Sequence, residues 1–253
     1  MNIADVIICE NPRHSLKLLN KLGIKKKLIS LHDYNEENVI RRVSREFLQK
    51  KIVLISDAGS PLISDPGFKL LQYFIKNNFK VSSIPGATAL IPSLQLSGIP
   101  INKFCFVGFF PKSTKEMINF IDEIKNFELT TVFYVSSHKV KKCIELMETK
   151  IEDRLISVSK ELTKLNERIV RGKITEVKKQ LFENKEKFKG EFVIVLEGKK
   201  LKNSKSINLD LYNGEINKLL SKFSLTDVVE IVHKLTGITK NKIYKWTLKL
   251  KKS

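Results

Sequence analysis

Cysteine and long apolar runs are scarce in this sequence of 253 residues. The three cysteines (Cys9, Cys105 and Cys143) are scattered, and the first two lie within apolar segments, which favours buried thiols in a reducing cytoplasm over disulfides. The four histidines lack zinc-type spacing, so we expect no metal site. No apolar run approaches the ~20 residues of a membrane span, and the first residues lack the features of a signal peptide. These absences predict a cytoplasmic globular protein without a membrane partner.

Acidic residues are also few relative to basic ones. The sequence has 46 Lys and Arg against 27 Asp and Glu, which gives a formal net charge of +19. A field of this size favours polyanionic partners, and nucleic acid is the most obvious of them. A genome biased toward A and T also enriches Lys, Asn and Ile, so the charge by itself leaves the nucleic-acid interpretation open.

Apolar segments alternate with amphipathic ones over residues 1–108. Strand-like runs at 6–9, 28–31, 52–56 and 81–84 are separated by segments with helical periodicity. The run at 52–56 is almost entirely apolar, as expected for a strand of a sheet that is covered on both faces. This pattern predicts a doubly wound α/β domain with a mostly parallel sheet.

The pattern changes near Phe104, where further strands are interspersed with helices. We therefore expect a second, α+β domain over residues 109–198. Residues 199–215 are polar, basic and without periodicity, which is typical of a linker. Residues 216–253 predict a basic helical tail, in which Ser224 begins a helix through a capping-box-like sequence.

Two loops rich in turn residues follow the predicted strands 52–56 and 81–84. The first, residues 57–67, holds two carboxylates, two glycines and two prolines, and the second is the run PGATA at 85–89. The carboxyl ends of parallel strands lie at one edge of a sheet, so both loops should border one cleft. Gly59 and Gly86 would let backbone approach a nucleotide-like cofactor there. Taken singly, each loop is more often an ordinary turn.

Several motifs together resemble those of the bacterial ribosomal RNA small subunit methyltransferase I family. Residues 56–67 (SDAGSPLISDPG) are similar to the family signature S-D-A-G-[ST]-P-x-[IL]-x-D-P-G. Further similar motifs follow in order along essentially the whole chain: ENPRHS at 10–15, LHDYNE at 31–36, PGATA at 85–89, GIP at 98–100, FCFVGFFP at 104–111, FYVSSH at 133–138, ELTK at 161–164, KGEFVIV at 189–195 and LTG at 235–237. Each motif is weak alone, and together they are specific.

This resemblance implies a fold, a reaction and a cofactor. The family methylates the ribose 2′-oxygen of cytidine 1402 in 16S ribosomal RNA with S-adenosylmethionine (SAM), and it has the two-domain tetrapyrrole-methylase fold, in which homodimers are common. By resemblance, the SAM-binding residues are Asp57, Gly59, Ser60, Pro61, Ile63, Gly86, Thr88, Ala89, Tyr134, Val135 and Leu162.

Methyl transfer to a hydroxyl requires the oxygen, methyl carbon and sulfur to be held in line, and a base can remove the proton. The catalytic candidates are Glu10, Asp65 and Lys164. Each also has an ordinary interpretation, as a residue that complements a helix dipole, caps a turn or lies in a solvated turn. The candidates for contact with the RNA backbone are basic: Arg13, His14, Lys240, Lys242 and Lys245.

Two departures from the family pattern keep alternatives open. Family members begin with a strand and a T-P-I-G-N-L loop upstream of anything in this sequence, which predicts either a gap in the first sheet or neighbouring strands that close up. In addition, Asn11 and Pro12 stand where the family has Asp-Thr. The alternatives are a catalytically impaired protein that binds RNA or assists ribosome assembly, and a methylase of another substrate on the same fold.

Overall fold

A computed structural model describes residues 1–47, 49–183, 188–200 and 209–250. The chain divides into two compact units, Met1–Lys199 and Lys200–Ser253. The first unit contains two β-sheets with their helices, and the described part of the second is helical. The further division of the first unit at residue 108 stays a prediction. Within the described ranges, no helix has the length and apolar character needed to cross a membrane.

The first sheet is parallel and has the strand order β2-β1-β3. Its central strand is completely buried, as the apolar sequence VIIC predicts. Helices α1, α2 and α3 follow the three strands in turn, which confirms the predicted α/β alternation. The elements are β1 (Val6–Cys9), α1 (Pro12–Lys21), β2 (Lys27–Ser30), α2 (Glu36–Glu46), β3 (Ile52–Ile55) and α3 (Phe68–Lys76).

The predicted strand at 81–84 is wrong. The described chain between α3 and α4 (Leu90–Ser97) contains no strand, and Ile84 is 87% exposed. An extended segment becomes a strand only through backbone hydrogen bonds to a neighbouring strand, and 81–84 does not pair with β3. Of the two outcomes predicted for the first sheet, closing up has not occurred, because β3 and the segment 81–84 do not pair with each other.

The second sheet has the order β4-β5-β8-β6-β7, in which β4 and β5 are parallel and the other pairs are antiparallel. Alternate residues of its strands face two apolar layers. Phe133 and Ile194 pack with helices α5, α6 and α7, whereas Val132 and Val193 pack with α4. The elements are β4 (Phe104–Phe109), α5 (Thr114–Ile124), β5 (Thr130–Ser136), α6 (Val140–Lys150), β6 (Leu155–Lys160), β7 (Arg168–Lys173), α7 (Ile174–Glu183) and β8 (Glu191–Leu196).

The second unit is a small helical cluster around Ile216, Val228 and Ile243. It contains a short 3-10 turn at Leu209–Tyr212 and three helices, α8 (Asn213–Leu220), α9 (Leu225–Thr236) and α10 (Lys240–Leu250). The hydroxyl of Ser224 accepts a hydrogen bond from the Asp227 N–H at the start of α9, as the sequence predicts.

The helical tail begins earlier than residue 216. Helix α8 starts at Asn213, and the turn before it places Leu209 in the same apolar cluster as Ile216. Because these apolar residues pack together, the end of the predicted linker 199–215 is structured. Residues 201–208 of that linker lie outside the described residues.

Two matched substitutions test the burial pattern. Ile194→Ala should lower the free energy of unfolding by about 2–5 kcal/mol, because Ile194 is fully buried in the second sheet. Ile84→Ala removes the same atoms from an exposed position and should change the free energy of unfolding by less than about 0.5 kcal/mol. Urea unfolding monitored by circular dichroism measures both. A loss for Ile84→Ala as large as that for Ile194→Ala would show that 81–84 is packed after all.

Candidate active site

A large cleft of about 630 Å³ is bordered by segments from both sheets of the first unit. This volume lies in the usual range for small-molecule and cofactor sites. The cleft is lined by the end of β1, the loop 57–65, the segment 87–92, the ends of β4 and β5, the loop 162–164 and the start of β8.

Most of the predicted site residues lie together in this cleft. Pro61 and Gly86 are the two predicted cofactor residues that do not line it. The predicted residues that do line it are Glu10, Asp57, Gly59, Ser60, Ile63, Asp65, Thr88, Ala89, Tyr134, Val135, Leu162 and Lys164. Their shared position makes a common ligand possible, and the role of each residue stays a prediction.

The two loops predicted to converge do so through side-chain contacts. The Ser60 hydroxyl donates a hydrogen bond to the Ala87 carbonyl at 3.4 Å, and the hydroxyls of Thr88 and Tyr134 lie 3.5 Å apart. Gly86 has a φ outside the left-handed region, and a Cβ there would meet only the Ile84 carbonyl at 3.9 Å. The close approach of its backbone to a cofactor stays a prediction.

Backbone strain is concentrated in two loops that line the cleft. Leu62 and Ser64 have φ values of 72° and 69°, and Glu161 and Thr163 have values of 49° and 65°. Such left-handed conformations cost non-glycine residues roughly 1–2 kcal/mol each. Strained residues persist only where surrounding interactions hold them, and they cluster at functional sites. The strain is therefore an independent sign that these loops form a site.

A buried carboxylate anchors the first of these loops. The side chain of Glu36, at the start of α2, is 5% exposed and accepts hydrogen bonds from the N–H groups of Gly67 (2.5 Å) and Lys69 (2.9 Å). These groups lie at the start of α3, where a negative charge is favourable. Gly67 also needs to be glycine, because its φ is 124° and a Cβ would lie 3.0 Å from Leu54. The motif LHDYNE contains Glu36, although the sequence alone assigned it no role.

The carboxyl groups of Glu10 and Asp65 line the cleft, and the pKa of each is raised. Burial raises the pKa of Glu10, and repulsion from Asp57, Asp65 and Asp33 raises it further. Burial also raises the pKa of Asp65 and outweighs a hydrogen bond from Ser56, which lowers it. Raised values bring a carboxylate closer to the basicity that a proton acceptor needs near neutral pH.

Asp57 connects the loop after β3 to the start of α1. Its carboxylate accepts a hydrogen bond from the Asn11 N–H at 3.3 Å and lies 3.4 Å from Nδ1 of His14. Asn11 in turn caps α1 with its side chain by accepting from the N–H of Arg13 and of His14. Arg13 and His14 are therefore exposed beside a residue that lines the cleft.

Lys164 is held by two carboxylates. Its ammonium lies 3.0 Å from Glu161 and 3.1 Å from Glu191, and these hydrogen bonds raise its pKa. The Glu161 carboxylate also accepts from the Glu191 N–H at 2.8 Å, which lowers the pKa of Glu161. This arrangement fixes the loop 161–164 against the start of β8. Sequence reasoning did not find Glu191, because its partner is 27 residues away.

The charge of the cleft is opposite to that of the whole protein. Four carboxylates line it, from Glu10, Asp57, Asp65 and Glu191, against the single ammonium of Lys164. The other predicted basic contacts, Lys240, Lys242 and Lys245, are exposed on α10 in the second unit. In the ranges that are described, no group of three or more His, Cys, Asp or Glu side chains is arranged to hold a metal ion.

A matched pair of substitutions tests the anchor. Glu36→Gln replaces one acceptor oxygen by an NH2 group that faces a backbone N–H, which should lower the free energy of unfolding by about 1–3 kcal/mol. Glu37→Gln removes an exposed carboxylate whose ion pairs, with Arg41 and Lys69, are worth under about 1 kcal/mol. Urea unfolding at pH 7 compares the two variants. Equal losses would contradict the anchoring role of Glu36.

Comparison with known proteins adds independent information. Residues 1–178 match the family model for Tetrapyrrole (Corrin/Porphyrin) Methylases. A relative from Haemophilus influenzae named "Ribosomal RNA small subunit methyltransferase I" is 37% identical over 96% of this chain and 87% of its own length. Proteins of the same name from Buchnera aphidicola subsp. Acyrthosiphon pisum (38% identity) and Escherichia coli O157:H7 (30%) cover 97% and 98% of this chain and 87% of their own lengths.

Two solved structures share the fold at low sequence identity. The methyltransferase CobJ has a TM-score of 0.53 at 13% identity and covers 77% of this chain and 83% of its own. The cobalt precorrin-4 methyltransferase CbiF has a TM-score of 0.51 at 18% identity, and the match covers 78% of this chain and 84% of CbiF. The relatives and the matched family model together establish that the chain is a methyltransferase of the ribosomal RNA small subunit methyltransferase I family, with the tetrapyrrole-methylase fold.

Proposed function

We propose that this methyltransferase transfers a methyl group from SAM to the ribose 2′-oxygen of a cytidine in 16S ribosomal RNA, in the cytoplasm. By the resemblance stated above, the cytidine is C1402. The observation that carries the proposal is the cleft, which unites residues from seven separate segments that match the family motifs. The printed names of the relatives support ribosomal RNA of the small subunit as the substrate.

The lining of the cleft fits SAM in both charge and polarity. When bound, SAM supplies an electrophilic methyl group on a positively charged sulfur. The carboxylates of Glu10, Asp57 and Asp65 provide the negative potential that a sulfonium favours. Apolar side chains, including Ile63, Val135 and Leu162, offer contact area for the uncharged parts of an adenosine.

The ribose hydroxyl must lose its proton as its oxygen bonds to the methyl carbon. The carbon–sulfur bond breaks in the same step, and the sulfur keeps the electron pair. We assign the proton acceptor to the carboxylate pair of Glu10 and Asp65, whose pKa values are raised in the cleft. Lys164 acts through its ion pairs with Glu161 and Glu191, which hold one wall of the cleft in position.

RNA phosphates need positive charge, and the acidic cleft does not offer it. The proposal therefore places the RNA backbone on basic residues outside the cleft. Arg13 and His14 are exposed at the start of α1, next to Asp57. Lys240, Lys242 and Lys245 are exposed on α10 and supply a sequence-independent attraction.

The direct test combines a binding and an activity measurement. The purified chain is titrated with SAM in a calorimeter and then incubated with methyl-labelled SAM and small ribosomal subunits that lack the modification. We expect saturable SAM binding and label at one nucleotide that makes the following phosphodiester resistant to alkali, because a 2′-O-methyl group blocks cleavage. Label in an alkali-sensitive position would overturn ribose methylation, and an absence of SAM binding would favour the catalytically impaired alternative.

The raised pKa of Asp65 predicts that the ionised carboxylate lowers the stability of the fold, although the proposed reaction needs it. A carboxyl whose pKa is higher in the folded than in the unfolded state holds its proton more tightly when folded, so its ionisation destabilises the fold as pH rises through that window. Asp65→Asn should therefore raise the free energy of unfolding at pH 7. The gain should shrink as pH falls through the raised pKa of Asp65 and should be lost below about 3.9, the ordinary value for aspartate.

The same variant should methylate RNA more slowly. Urea unfolding at pH 7 and at lower pH measures the first effect, and methyl transfer at pH 7 measures the second. The control is Glu123→Gln, which removes an exposed carboxyl that does not line the cleft. A loss of stability at pH 7 for Asp65→Asn would contradict the assigned environment of this carboxyl.

A further inference from the structure

One large aromatic side chain of the cleft is left uncovered. Phe109, at the end of β4, lines the cleft and is 54% exposed. Tyr134 lies next to it and is half-buried, whereas Phe192 is buried. A large apolar side chain that stays exposed within a concave site indicates a surface that a ligand covers.

A β-bulge gives Phe109 this position. Phe106 pairs with Val132 of β5 and Phe109 pairs with Tyr134, so three steps along β4 match two steps along β5. Without the extra residue, Phe106 and Phe109 would point to opposite faces of the sheet, because side chains alternate along a strand. Gly108, at the bulge, has a φ of 75°.

The bulge brings both phenylalanines to the same neighbour. The ring centroids of Phe106 and Phe109 lie 5.0 Å and 5.2 Å from that of Tyr134, with interplanar angles of 62° and 63°. The Tyr134 hydroxyl also lies 3.5 Å from the hydroxyl of Thr88, which belongs to the segment 87–92 of the cleft. Edge contacts of this kind fix the orientation of each ring and leave a face of the exposed ring available.

We propose that Phe109 is the stacking platform for the base of the target nucleotide. This inference rests on the proposed function and adds a residue that recognises the substrate. A ribose whose 2′-hydroxyl enters the cleft belongs to a nucleotide pulled out of its stack. Proteins compensate an unstacked base of single-stranded RNA by placing it against an aromatic side chain.

Phe109 is better placed to stack against the target base than against the adenine of the donor. The RNA approaches from outside, and Phe109 is the most exposed aromatic residue of the cleft. Among the described residues that line the cleft, Lys164 is the only Lys or Arg, and its ammonium is paired with Glu161 and Glu191. An uncharged planar group is therefore the part of an RNA that this wall accepts.

The test measures RNA recognition and SAM binding separately in full-length variants. Phe109→Ala should raise the KM for small ribosomal subunits between about fivefold and a hundredfold, the range for loss of one base–aromatic stack. Its Kd for SAM, measured by calorimetry, should stay within about twofold of the wild-type value, since stacking is lost only for the RNA. Phe109→Trp should restore the KM, because tryptophan offers a planar face, and Phe109→Leu should not.

The matched control is Phe104→Ala. Phe104 lies on the same strand, is 40% exposed and does not line the cleft, so its loss should leave the KM unchanged. An unchanged KM for Phe109→Ala would overturn the inference and leave ribose methylation intact. A weakened Kd for SAM with an unchanged KM for RNA would assign the ring to the adenine instead. A wild-type chain that binds SAM and methylates no RNA would overturn both this inference and the proposed function.

Discussion

The hydrogen bonds of one buried carboxylate hold the geometry of the cleft. Glu36 accepts from two backbone N–H groups at the start of α3, and so joins α2 to the loop that follows β3. That loop contains Leu62 and Ser64 in left-handed conformations, which relax unless both ends of the loop are fixed. One end is fixed by β3 in the sheet, and Glu36 fixes the other. The position of Asp57, Ser60 and Asp65 in the cleft follows from this pair of constraints.

The separation of opposite charges within the protein fits two proposed ligands that differ in charge. The sequence is strongly basic, while the lining of the cleft is acidic. A uniformly basic cleft would repel a sulfonium, and a uniformly acidic surface would repel RNA. The acidic groups therefore lie where the donor is proposed to bind, and exposed basic residues lie outside the cleft. The raised pKa values of Glu10 and Asp65 follow first from burial in the cleft and then from repulsion between neighbouring carboxylates.

The sequence predicted local features well because their causes are local. Strand β1 has the bounds that its apolar run indicates, and α9 begins after Ser224 as its capping sequence indicates. The loop residues of the cleft were found because a turn-rich stretch follows an apolar strand, although β3 is only half-buried at the edge of its sheet, and because several motifs match a family in order. The segment 81–84 failed because a strand also needs a partner, which its own residues cannot show.

The features that the sequence did not reveal depend on distant parts of the chain. In the sequence, Glu36 is only the last residue of the motif LHDYNE, and its role exists only because α3 packs beside α2. Phe109 looked like one apolar residue in a strand, and the bulge that turns it into the cleft is visible only in the pairing with β5. The ion pair of Lys164 with Glu191 likewise requires that β6 and β8 be neighbours. Tertiary contacts decide each of these roles.

The strained loops of the first unit are proposed to form one binding site for a methyl donor. Backbone hydrogen exchange with and without saturating SAM distinguishes this arrangement from one in which the loops act separately. Exchange should slow in three separate segments, 57–67, 87–92 and 161–164, and should change little at 81–84. Protection confined to other segments, or none despite measured binding, would contradict the proposed single site.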